Sequence, residues 1–253
     1  MSDTTADAQL HARRASSFGG QAAAYAEHRP DYPDAALEWA MAGAGHPVRA
    51  VLDLAAGTGK LTAGLVTTGR SVTAMEPDPD MLAELTRLLP DVPARSGTAE
   101  DIPLPDASVD AVFIGQALHW FDQVAAFAEI RRVLRPGGVV AALWNYDDDS
   151  VPWVGAFSRL IFTKVSHSAV RGEPLTAEGF EPFEREVFRH SHRRTTESLV
   201  ETLATHSAFL VAEPADRDRM LAKARAHLEA APETAGGEFD YPLLTTVLRA
   251  RRS

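Results

Sequence analysis

The sequence predicts an α/β fold built on a parallel, doubly wound sheet, and three observations predict it. Five short apolar runs alternate with helical stretches between residues 49 and 145, the order that lays helices on both faces of one sheet. The run Val139–Trp144 is apolar throughout, which suits burial on both sides. A glycine turn, Gly57-Thr58-Gly59, closes the first run and opens a helix, the connection through which such sheets bring backbone close to a ligand.

The elements follow in order. Phe18, Ala22, Tyr25 and Ala26 recur at helical spacing until Arg29-Pro30-Asp31-Tyr32-Pro33 breaks the helix. Asp34 is a candidate N-cap for a second helix carrying Leu37 and Trp39. Strand one is expected over Arg49–Leu54, with a helix over Gly59–Thr67; strand two over Ser71–Met75, with a helix over Pro79–Leu89. Strand three is short, near Val92–Arg95, and strand four, Val109–Ile114, leads into a helix over Asp122–Leu134. Arg135-Pro136-Gly137-Gly138 has the composition of a tight turn before strand five at Val139–Trp144. Beyond Asn145 the alternation stops. A helix is expected over Pro152–Val165, a strand over Glu186–Arg194, helices over Thr196–Leu210 and Pro214–Leu228, and a last strand over Phe239–Arg249. The 253 residues are therefore expected to form one domain: lid helices over 16–45, a ligand-binding core over 46–145, a cap insertion over 146–185, and completing strands and helices over 186–253.

Composition excludes several functions. A formal charge of -10 repels phosphate backbones, so no nucleic-acid partner is expected. With no cysteine, disulfides, thiolate catalysis and cysteine-ligated metals are excluded. No apolar run reaches the roughly 20 residues of a bilayer crossing, and Met1–Ser17 lacks the apolar centre of a signal peptide. A cytoplasmic protein, monomer or homodimer, is expected, with no membrane partner. Asp147-Asp148-Asp149 could face a Mg²⁺ but lacks a carboxylate partner after strand four, and His190 and His192 lack a third ligand. No metal is expected.

The glycine turn is where the chemistry concentrates. A phosphate-binding P-loop would need glycine at Leu54 and Ser or Thr at Leu61. A dinucleotide fingerprint starting at Gly57 would need a third glycine where Thr62 stands. S-adenosylmethionine explains more residues. The helix N-terminus favours its carboxylate, Asp53 can face its α-ammonium directly or through water, and Glu76, closing strand two, can accept both ribose hydroxyls.

Four segments carry a family resemblance: Phe18…Tyr25…Arg29-Pro30…Tyr32-Pro33, Val51–Lys60, Gly97–Asp106 and Gln116–Phe121, with Arg135–Gly138 as a further feature. On these, the chain resembles class I S-adenosylmethionine-dependent methyltransferases of the small-molecule "type 11" kind, and within them the trans-aconitate methyltransferase-like proteins. The resemblance implies a Rossmann-like, mostly parallel seven-stranded sheet of order 3-2-1-4-5-7-6, strand seven antiparallel, with a small helical cap. It implies that Asp53, Ala55, Gly57 and Gly59 hold the methionine end of the cofactor and Glu76 the ribose. Thr98, Ala99 and Glu100 would lie at the adenine, Gly115 and Gln116 beneath the sulfonium, with Tyr25 and Arg29 closing over the carboxylate. Ala55 departs from the family, which usually has glycine there.

Residues after strands four and five are expected to face a small-molecule acceptor: Gln116, His119 and Trp120, then Trp144, Asn145, Tyr146 and, in the cap, Trp153. Trp144 reads equally as core. His119 is either a base for a hydroxyl acceptor or a wall residue. O-methylation is expected, of a carboxylate in preference to a hydroxyl; N- or C-methylation, and cofactor binding without catalysis, are the alternatives.

Overall fold

A computed structural model describes residues 29–161, 175–204, 209 and 212–253. The helix expected to precede Arg29, and Tyr25 with it, lies outside the described residues. In chain order the elements are α1 (Asp34–Met41), β1 (Ala50–Leu54), α2 (Lys60–Thr67), β2 (Ser71–Met75), α3 (Pro79–Leu88), β3 (Ala94–Arg95), β4 (Val109–Gly115), a 3-10 turn (Leu118–Trp120) and α4 (Gln123–Val133). They continue with β5 (Leu134–Asp147), α5 (Pro152–Ile161), β6 (Glu184–Arg194), α6 (Thr196–Ala204), α7 (Pro214–Ala230) and β7 (Phe239–Arg251). The strands form one sheet of order β3-β2-β1-β4-β5-β7-β6, as the resemblance implied. β1 pairs in parallel with β2 and β4, β2 with β3 and β4 with β5. β7 runs antiparallel to β5: the Gly137 N–H donates to the Arg252 carbonyl, and the Arg252 N–H to that of Gly138.

The described residues divide into two compact units. The larger holds 30–146, 175–190 and 244–253; the smaller holds Arg29, 147–161, 191–204, 209 and 212–243. In the larger unit the strand period sorts side chains to two cores. Leu52, Leu54, Val112, Ile114, Val140, Ala142 and Trp144 face α4, whose Ala126, Phe127, Ile130 and Val133 pack against them. Val51, Ala111, Phe113, Val139, Ala141 and Leu143 face α1 and α2, meeting Leu37, Met41, Leu61 and Leu65. Burial of this kind stabilises by roughly 1.5–3 kcal/mol for each large apolar side chain. Helices α3 and α4 start where Asp78 and Asp122 accept two backbone N–H groups each. Asp34 does not cap α1 as expected. It is the first helical residue, Pro33 holds the cap position, and no side-chain cap bond forms.

The turn expected at Arg135–Gly138 is instead part of β5. Val109 pairs with Leu134 and Ala111 with Val139, so Arg135–Gly138 bulge out of the ladder to β4, with Gly137 at φ +77°. The bulge brings Arg135 to Asp110, a buried carboxylate that also accepts the N–H groups of Arg49 and Ala50 at 2.9 and 2.8 Å, with Arg135 at 2.7 Å.

The smaller unit has its own core, where Val154 and Phe157 of α5 meet Leu199, Leu203, Leu228 and Tyr241. Trp153 packs edge-on to Phe239 and Tyr241, with ring centroids 5.8 and 5.7 Å away. Ser158 Oγ donates to Asp147 Oδ2 at 2.5 Å. Burial, with the neighbouring Asp147 carboxylate, pushes the Tyr241 hydroxyl well above its ordinary range.

Candidate functional site

Within the larger unit, the residues expected to act gather at the carboxyl ends of β1, β2, β4 and β5, beside the β1/β4 switch point where open α/β sheets bind ligands. β1 delivers Asp53 on the face toward α2. The carboxylate is fully buried. Its Oδ2 accepts the Thr62 hydroxyl at 2.6 Å, while Oδ1 is buried with no hydrogen-bond partner. Burial raises its pKa to about 7, opposed by the hydroxyl and backbone N–H of Thr62 and reinforced by the charge of Glu76.

The turn that follows is left-handed at three of five residues: Ala55 at φ +57°, Gly57 at +58° and Gly59 at +88°. Glycine adopts this region freely, whereas alanine there costs about 1–2 kcal/mol. Ala55, the departure from the family pattern, is thus a strained residue. Above Gly57 there is open space, while Gly59 is closed in by Leu85 and Leu89. Thr58 Oγ1 is buried and, like Asp53 Oδ1, has no hydrogen-bond partner. Buried polar atoms are nearly always paired, so two orphans beside one turn mark a place for a polar ligand.

Glu76 braces this turn. Its Oε2 accepts the Gly57 N–H and its Oε1 the Asp78 N–H, each at 2.9 Å, and burial raises its carboxyl above the ordinary range. Each oxygen keeps a lone pair for a ligand. Of the residues expected at the adenine, Ala99 is buried, Thr98 is exposed, and Glu100 accepts the Asp122 N–H at 3.0 Å.

β4 ends at Gly115, and Gln116 takes φ +60°. Its backbone N–H donates to Leu143 O and its Nε2 to Asn145 O, at 2.8 and 2.9 Å. Asn145 in turn donates from Nδ2 to Asp31 O at 3.1 Å and accepts the Thr245 hydroxyl on Oδ1 at 2.5 Å. His190 Nε2 lies 3.0 Å from that hydroxyl. Because Thr245 gives its proton to Asn145, the histidine is the donor in this contact. Tyr146 meets Thr246 Oγ1 at 2.7 Å. His119 is exposed, its ring 4.5 Å from that of the half-buried Trp120. Trp144 is 6% exposed within the α4-side core, with its indole N–H unpartnered. Arg29 and Trp153 belong to the smaller unit.

Thr62 was missed as a site residue. The signal was its place one turn into the helix after the glycine turn, the position that disqualified the dinucleotide fingerprint. Tyr32 stood in the resemblance without a role.

Comparison with known proteins fits this geometry. Residues 52–142 match the family model described as a methyltransferase domain. The chain is 38% identical to an uncharacterized methyltransferase of Mycobacterium tuberculosis, covering 92% of this chain and 95% of that protein. It is 31% identical to one of Schizosaccharomyces pombe, covering 93% and 96%. A solved structure from Anaeromyxobacter dehalogenans, described as a candidate Type II methyltransferase, superposes with TM-score 0.67 at 30% identity, covering 88% of this chain and 97% of that one. A sheet of this order, a left-handed glycine turn after β1 and near full-length likeness to methyltransferases agree, and the chain belongs to the class I S-adenosylmethionine-dependent methyltransferases.

Proposed function

We propose that the larger unit binds S-adenosylmethionine at the ends of β1, β2 and β4 and methylates an oxygen of a small-molecule acceptor, a carboxylate before a hydroxyl. Asp53 carries the reading. A fully buried carboxylate with one unpartnered oxygen beside the glycine turn suits an α-ammonium, whereas a dinucleotide pyrophosphate there would set like charges together. Bound there, S-adenosylmethionine supplies a methyl group activated by its sulfonium. The N-terminus of α2 favours the cofactor's carboxylate, and Asp53 faces its ammonium. Glu76 accepts the ribose hydroxyls, Thr98, Ala99 and Glu100 border the adenine, and Gly115 and Gln116 border the sulfur. Trp120, Trp144, Asn145 and Tyr146 wall the acceptor and hold its oxygen in line; alignment of this kind supplies roughly 7–11 kcal/mol in favourable cases.

The pKa of Asp53 gives a pH dependence. In the free protein the carboxyl is protonated below about pH 7, and an ammonium favours the ionised form. S-adenosylhomocysteine affinity therefore rises between pH 5.5 and 7, below the ~7.7–8.0 at which α-amino groups titrate, and binding releases a proton. Calorimetry in buffers of different ionisation enthalpy checks this, and Asp53→Asn flattens the profile. A wild-type profile as flat as the variant's would remove Asp53 from the ammonium.

A carboxylate acceptor is already ionised and needs no base. His119→Ala and His119→Asn then retain kcat within a few fold, and kcat at saturating cofactor shows no rate-limiting ionisation between pH 6 and 8. A base for a hydroxyl would cost about 10²–10⁴. The acceptor class is tested by incubating the protein with tritiated-methyl S-adenosylmethionine and pools of small metabolites. Carboxylate methylation yields an ester whose counts become volatile as methanol in alkali; counts found only in alkali-stable product would overturn it.

A further inference from the structure

We infer that Tyr32 is a further cofactor-contacting residue, donating its phenolic hydroxyl to the carboxylate at the amino-acid end of S-adenosylmethionine, with Asn145 as its positioning residue. The inference rests on the cofactor site proposed above. A methyl group added to Gly115 would lie 2.9 Å from Tyr32 Oη and 3.1 Å from Leu61 Cδ2. The hydroxyl and the first turn of α2 therefore crowd the same point at the end of β4. The N-terminus of α2 favours an anion, and the unpartnered Thr58 Oγ1 lies in the β1–α2 turn, with the unpartnered Asp53 Oδ1 on β1 just before it. A hydroxyl donor brought to this point matches the carboxylate of an amino acid whose ammonium Asp53 receives.

The position of Tyr32 is held from outside its own element. Asn145 Nδ2 donates to the carbonyls of Pro30 and Asp31, at 3.3 and 3.1 Å, and Asn145 is itself held by Thr245 on Oδ1 and by Gln116 on its carbonyl. Lys60 Nζ, at the start of α2, meets Asp31 Oδ1 at 3.3 Å. Two ties, one to β5 and one to α2, thus fix the residue immediately before Tyr32. Pro33 follows it, with a side-chain ring that restricts the backbone of the residue before.

The experiment compares S-adenosylhomocysteine with 5′-methylthioadenosine, a thioether that lacks the amino-acid arm, by calorimetry on the full chain. In Tyr32→Phe, S-adenosylhomocysteine affinity falls roughly ten- to a hundredfold, as expected for a hydrogen bond to a charged group, while 5′-methylthioadenosine affinity is unchanged. Asn145→Ala shows the same selective loss to a smaller degree, with faster hydrogen exchange at the Asp31 and Tyr32 amides, and serves alone if Tyr32→Phe melts abnormally. Equal loss for both ligands, or none for either, overturns the inference. Wild-type protein that binds neither ligand overturns the cofactor reading itself, and this inference with it.

Discussion

Glu76→Ala lowers affinity for S-adenosylhomocysteine at least ten- to a hundredfold, and Glu76→Gln by nearly as much. Two losses combine. In the proposed site the ribose hydroxyls lose a charged acceptor, and hydrogen bonds to charged groups contribute about 1.5–3 kcal/mol. The Gly57 and Asp78 N–H groups also lose the oxygens that hold them at 2.9 Å, so the glycine turn is no longer braced. Glutamine does not restore the arrangement, since one of those N–H groups must then face an amide NH₂. Calorimetry on variants with a wild-type circular dichroism spectrum reads the loss. Unchanged affinity would remove Glu76 from the site.

Asp110→Ala destabilises the larger unit by about 3 kcal/mol, because two backbone N–H groups and Arg135 lose one buried acceptor. At roughly 2–4 °C per kcal/mol for a chain of this size, the melting temperature falls by about 6–12 °C. Burial alone would raise the Asp110 carboxyl, but the Ala50 N–H, the Arg135 guanidinium and the Arg49 N–H hold it below the ordinary range. A depressed carboxyl stabilises fully above its unfolded pKa, about 3.9, and loses that contribution as pH falls through the folded value. The gap between wild type and variant is thus full at pH 7 and narrows below pH 4. A gap that stayed constant down to pH 2 would show that the charge of Asp110 plays no part. The carboxylate lies away from the carboxyl-end residues, so cofactor affinity at a temperature where both proteins are folded is retained.

Much of the larger unit was legible because its signals are local. Apolar runs bounded by glycines and prolines marked the strands, and strand ends placed Asp53 and Glu76 beside the glycine turn before any contact was known. What failed depended on partners distant in sequence. Arg-Pro-Gly-Gly reads as a turn on composition, yet pairing with β7 and the tie of Arg135 to Asp110 draw it into β5. Asp34 has the chemistry of an N-cap, but the chain enters α1 one residue earlier, through Pro33. Trp144 read equally as core and pocket, and the structure shows why both readings arose: the ring is packed in the core while its N–H lacks a partner. The role proposed for Tyr32 had no visible signal, because Gly115, which its hydroxyl approaches, and Asn145, which holds the carbonyls of Pro30 and Asp31, lie far away in sequence.

The account stands on which cofactor the glycine turn accepts, and calorimetry of the full chain at pH 7.5 with S-adenosylmethionine, S-adenosylhomocysteine and NAD tests that directly. The arrangement of Asp53, Gly57 and Glu76 predicts saturable binding of both sulfur compounds and none of NAD. Tight binding of NAD, with no heat from either sulfur compound, would contradict it.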